Sequence, residues 1–163
     1  MAIPLHEVGV DPSLGQGCFF IGHRDSPSNI SLRLYEAIER HITEYGITEF
    51  FIGNHGAFDL IAAGALGRIK QAHPQVSIYM VLAYHPSIRK PELPNGFDGF
   101  LLPEGQELCP PKYAMPTLNR RMIRQCSHLI AYVNKITDGS YTLMKHAMSR
   151  EKKGQLIITN LAE

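Results

Sequence analysis

Short apolar runs alternate with helix-patterned stretches along this chain, and that alternation leaves few folds open to it. The runs are Gly17 to Ile21, Thr48 to Gly53, Val76 to Leu82, His128 to Val133 and Gln155 to Thr159. They are continuous rather than alternating in hydrophobicity, the pattern of strands covered on both faces. Between the first two, Ile30, Leu34, Ala37, Ile38, Ile42 and Tyr45 keep helical spacing; Ser28 or Asn29 is placed to cap that helix and Gly46 to end it. Further helices are expected over about 57–72, where His73-Pro74 stops the run, around 116–125, and from Ser140 to about Lys152. Five strands alternating with about four helices specify an α/β doubly wound parallel sheet. Right-handed crossovers give it the order 3-2-1-4-5.

In that order the switch point lies between the first strand and the strand of 128–133, and ligands of open α/β sheets bind in the crevice beyond such a point. Two glycine-bearing turns would meet there: Ile21-Gly22-His23-Arg24 and Asp138-Gly139-Ser140-Tyr141-Thr142. Glycine admits close backbone approach, and a helix N-terminus after it favours an anion. Neither turn matches the dinucleotide fingerprint or the P-loop.

With 163 residues and 44% hydrophobic content, a single domain with a real core is expected. Residues 1–16 read as an irregular lead-in. Residues 83–113 carry six prolines and read as an insertion or lid, within which 97–102 could form a short strand or edge segment. A formal net charge of +1 offers no global argument for nucleic acid, although Asn119-Arg120-Arg121 with Arg124 forms a local basic cluster. Cys18, Cys109 and Cys126 are too few and too scattered for a disulfide framework or a zinc motif. No signal peptide or membrane span is legible, so the expected setting is cytoplasmic and reduced.

Each candidate residue has a structural and a functional reading. Gly22 either makes a tight turn or faces a ligand, and Arg24 pairs on the surface or recognises phosphate, with His23 beside it. Gly53, Asn54 and Gly56 shape the second turn. Asp59, in an otherwise apolar helix, either holds the neighbouring loop or accepts from a ribose hydroxyl. Asn119, Arg120 and Arg121 cannot all share one helix face, so one arginine is expected at the ligand and the other in solvent, with Asn119 and Arg121 assigned to the binding crevice. Ser140, Tyr141 and Thr142 cap a helix, cradle phosphate, or do both. A metal site from His23, His55, Asp59 and His85 matches no ligand motif. The alanine-rich helix with Gly64 and Gly67 packs closely on its own sheet or on a second copy, and a homodimer is the expected oligomer.

Cys18-Phe19-Phe20-Ile21-Gly22-His23-Arg24 is similar to the "TGHR" opening of bacterial SLOG proteins. The segment from Ile52 to Ala63 resembles their "GGA-x-G-x-D-x-x-A-A" block, and Asn119-Arg120-Arg121-Met122 with Leu129 to Tyr132 resembles their "RNRxM" helix and following strand. Order and rough spacing hold over residues 17–160, and the nearest likeness is to the small stand-alone YpsA/YoqJ-like branch. The resemblance implies a Rossmann-like fold and a nucleotide or nucleotide-derived ligand. Relatives include the Lonely Guy phosphoribohydrolases and the single-strand-binding protein DprA. Two departures stand out. The arginine that Lonely Guy enzymes carry before the helix falls on Leu118, and their loop glutamate is replaced by Met144 or Lys145. Cleaving an N-glycosidic bond needs a carboxylate, and a lysine would oppose the developing positive charge. The resemblance therefore implies ligand binding without that hydrolysis. The alternatives are a divergent phosphoribohydrolase using Asp59 or Glu104, and a nucleic-acid module, which the near-neutral charge disfavours.

Overall fold

The computed structural model describes residues 17–89, 91–136 and 138–163; the expected lead-in of 1–16 lies outside them. One parallel sheet organises the chain. Its strands are β1 (Gly17–Gly22), β2 (Glu49–Ile52), β3 (Ser77–Val81), β4 (Gly99–Leu101), β5 (His128–Tyr132) and β6 (Ile157–Asn160). The helices are α1 (Ser31–Tyr45), α2 (Ala57–Ala72), α3 (Ala114–Gln125) and α4 (Gly139–Lys152). The spatial order is β4-β3-β2-β1-β5-β6. The sheet thus has six strands where about five were expected, and the expected order gains a strand outside β3. Tyr79, Met80 and Val81 pair with Gly99, Phe100 and Leu101. The prolines of 86–94 exclude a crossover helix, and Asp98 anchors the returning chain by accepting from the Ile78 amide at 2.8 Å and pairing with Lys70 at 3.0 Å.

Continuous apolarity in the strands is explained by two buried faces. Cys18, Phe20, Phe50, Ile52, Ile78 and Ile130 pack under α1 and α2. Phe19, Ile21, Phe51, Val81, Leu129 and Ala131 pack under α3 and α4. Cys18 and Cys126 are buried members of these cores, each thiol pushed up chiefly by burial.

Several boundaries shift for local reasons. Neither Ser28 nor Asn29 caps α1, because a 3-10 turn over Ser28–Ile30 runs directly into the helix. Gly46 does end it, in the left-handed conformation at φ 68°. α3 begins two residues ahead of Pro116, which therefore sits in the first turn where a missing N–H is harmless. Gly67 serves an intramolecular contact: a Cβ there would lie 3.1 Å from the Asn95 carbonyl oxygen, on the loop that leads to β4. No helix among the described residues is long and apolar enough to cross a membrane.

Candidate functional site

The carboxyl ends of β1, β2 and β5 meet at the switch point, and packing between their exit turns dictates the glycines there. At Gly22 a Cβ would fall 2.2 Å from the Phe58 ring, so the residue is glycine because the first turn of α2 lies on it. Gly56 adopts φ 109°, and a Cβ there would lie 2.8 Å from the Arg24 Cα. The Ala57 amide donates to the Arg24 carbonyl at 2.8 Å, fastening the exit of β1 to the start of α2.

His23 proves to be an internal brace. It is 1% exposed, and Nε2 accepts from the Asn134 and Lys135 amides at 2.9 and 3.1 Å. Nδ1 therefore carries the ring proton and donates it to Asp138 Oδ2 at 2.6 Å. The expected ligand contact at His23 is replaced by a positioning role, since both ring nitrogens are already engaged.

Asp138 also changes the expectation for the following turn. Its second oxygen accepts from the Ser140 amide at 3.0 Å, the Tyr141 amide donates to the Asp138 carbonyl at 3.2 Å, and the Ser140 hydroxyl donates to the Gly22 carbonyl at 3.0 Å. The N-terminus of α4 thus carries a carboxylate where the sequence led us to seat a phosphate. A Cβ at Gly139 would meet nothing within 4 Å, so that residue opens onto free space.

A cleft of about 680 Å³ lies between this turn and α3. Gly22, Arg24, Asn119, Arg120, Ser140 and Thr142 all line it, together with Lys135, which pairs with Asp25. Arg121 and Tyr141 are not among its lining residues. Arg121 donates Nη1 to the Glu104 carbonyl at 3.1 Å, while Tyr141 packs against the core beneath α4, with Lys145 over its ring. Adjacent helix positions face different ways, which separates Arg120 from Arg121.

A second cleft, of about 480 Å³, opens at the ends of β2 and β3. Gly53 and Asn54 border it from the β2–α2 turn and Asp59 from the first turn of α2; Tyr84, Arg89 and Glu92 border it from the proline-rich segment. The Arg89 guanidinium lies 4.7 Å from the Tyr84 ring centroid. Residues 103–113 are instead fastened down, since the buried Gln106 donates Nε2 to the carbonyls of Ala83 and Ala114. Glu104 borders neither cleft.

His55 lines both clefts. Burial, then the charges of Arg24 and Arg89, push its ring down to about 4, so it is neutral at pH 7. Asp59 Oδ2 accepts from the His55 amide at 2.9 Å, which fulfils the loop-holding expectation. Burial nonetheless pushes Asp59 up to about 7, against the opposing pull of that amide and of Arg24. A carboxyl poised at neutral pH on a cleft can act as a general acid or base. Among the described residues, no group of three or more His, Cys, Asp or Glu is gathered as a metal site.

Sequence reasoning missed Lys135, Tyr84, Arg89 and the His23–Asp138 brace. Only Asp138 carried a signal, an acidic residue immediately before a helix. No protein-family model matches this chain, and no curated protein matches it.

Proposed function

We propose that the protein binds a nucleotide or nucleotide-derived small molecule across the two clefts. The observation that carries this reading is their junction. One cleft holds Arg24 and Arg120, with Lys135 paired to Asp25 at its border, the other an aromatic, an aspartate and apolar walls, and both meet at His55 beyond the strand ends. That pairing suits a ligand with an anionic end and a base or ribose end. The anion would lie against the arginines rather than on the α4 amides, and the base and ribose would lie under Tyr84 and Arg89. The likeness to SLOG proteins points to the same ligand class.

A thermal-shift panel of nucleoside mono-, di- and triphosphates, ADP-ribose and NAD tests the reading. A specific ligand raises the midpoint by mass action, and Arg24→Ala removes the shift. Absence of a shift with every compound would defeat the proposal.

Asp59 favours a second reading, a divergent phosphoribohydrolase. Its carboxyl is half-ionised near pH 7 and borders the cleft assigned to the ribose. This reading expects free base to be released from a nucleoside monophosphate, and the release to stop in Asp59→Asn while binding persists. Binding without turnover leaves the first reading alone.

A further inference from the structure

Among the described residues, His55 alone lines both clefts. Its main chain is fixed from either side: Asp59 Oδ2 accepts from its amide at 2.9 Å, and two residues on the Ala57 amide donates to the Arg24 carbonyl at 2.8 Å. Those bonds explain the loop and leave the imidazole unexplained. Among the described residues no group hydrogen-bonds either ring nitrogen, and neither nitrogen is shut off from the clefts. The ring has a polar neighbour all the same. A Cβ at Gly53 would lie 3.2 Å from Asp59 Oδ2 and 3.4 Å from His55 Cδ2, so the carboxyl and the imidazole converge over that glycine. The order of chemistry across the site is equally specific. Arg24 and Arg120 line only the larger cleft, Tyr84 and Arg89 only the smaller, and His55 stands between them. Phosphate, pentose and base follow one another in a nucleotide in the same order.

We infer that His55 reads the sugar: its ring and the Asp59 carboxyl hold the two hydroxyls of a ribose where the clefts join, so the ligand is a ribonucleotide rather than a 2′-deoxyribonucleotide. This rests on the nucleotide reading above and names the sugar that reading requires. A neutral imidazole presents one donor and one acceptor, and a hydroxyl answers both. With the ring uncharged at pH 7, a phosphate gains nothing there that Arg24 and Arg120 do not supply better. The neighbouring carboxyl offers an acceptor for the second hydroxyl. A site built to bond a hydroxyl rejects the analogue that lacks it, because its own polar groups lose their partner.

The test is calorimetric titration of the intact protein with the mono- and triphosphates of the four common ribonucleosides and with their 2′-deoxy and 3′-deoxy counterparts. His55→Ala and His55→Gln are run in parallel, with circular dichroism to confirm folding. Asp59 bonds the amide of residue 55 and not its ring, so both variants keep the loop anchored. Wild type should bind one ribonucleotide about tenfold more tightly than either deoxy form, the effect of one lost hydrogen bond. His55→Ala should erase one of those two preferences, which identifies the hydroxyl the ring holds. His55→Gln, which keeps a donor and an acceptor, should restore part of it. Equal wild-type affinity for the ribo and 2′-deoxy forms overturns the inference and leaves the nucleotide reading intact. So does a uniform loss of affinity in His55→Ala with both preferences kept, which is the mark of a merely structural ring. No binding of any nucleotide defeats both the inference and the reading beneath it.

Discussion

Replacing Asp59 with asparagine keeps an oxygen for the His55 amide while removing the ionisation that burial disfavours. The ordinary carboxyl value is 3.8, and in the folded protein Asp59 rises to about 7. Because the folded value is the higher one, the folded state holds the proton more tightly than the unfolded chain. Below 3.8 both states are protonated and wild type has no handicap. Between 3.8 and about 7 wild type loses stability as pH rises, and above about 7 the full cost is reached. A gap of roughly three units corresponds to about 4 kcal/mol at most. Urea denaturation of both proteins at pH 4, 6 and 8.5 reads this out, and every other titrating group cancels in the difference. Asp59→Asn should match wild type at pH 4 and unfold about 1 M later in urea at pH 8.5. A difference independent of pH, or a variant less stable at pH 8.5, would refute the electrostatic account of Asp59. A carboxylate placed where it lowers stability is what a functional role would require.

Gly22→Ala drives a Cβ into the Phe58 ring and should cost about 1–3 kcal/mol, measured as a lower denaturation midpoint; Phe58→Leu in the same chain should recover part of the loss. His23→Ala strands the Asn134 and Lys135 amides and frees Asp138, so we expect about 2–4 kcal/mol of destabilisation and weakened binding of whichever nucleotide the thermal-shift panel identifies. At the opposite edge of the sheet, burial and then His41 push His128 down to about 4 from 6.5. The unfolded chain therefore takes up the proton first, and stability that is full above 6.5 declines as pH falls toward 4, by about 3 kcal/mol at most. His128→Phe should flatten that acid limb in a pH series of thermal midpoints.

The main architecture was legible because strand burial and helix periodicity are local signals. Phe19-Phe20-Ile21 and Phe50-Phe51-Ile52 are apolar at successive positions because each has a core on both faces. The short edge strand at 99–101 was only a possibility in the sequence, since three residues after a proline-rich stretch give no period to read. In the site, the clustering of the glycine turns followed from strand order, but the reasons for the glycines did not. Gly22 answers to Phe58, thirty-six positions along the chain, and Gly56 answers to Arg24. His23 and Asp138 are separated by 115 residues, so their brace has no local trace. Adjacent positions 120 and 121 had to face different ways, but the sequence favoured Arg121 for the crevice and Arg120 is the one that lines it, because that choice depends on how α3 lies on the sheet.

The most direct test of the central claim is a nitrogen-15 NMR titration of the labelled protein with each nucleoside mono- and triphosphate. The account expects saturable shifts of the amides at residues 22–25, 53–56 and 138–142, the three exits that frame the joined clefts. Shifts confined to the opposite edge around His41 and His128, or none with any nucleotide, would contradict it.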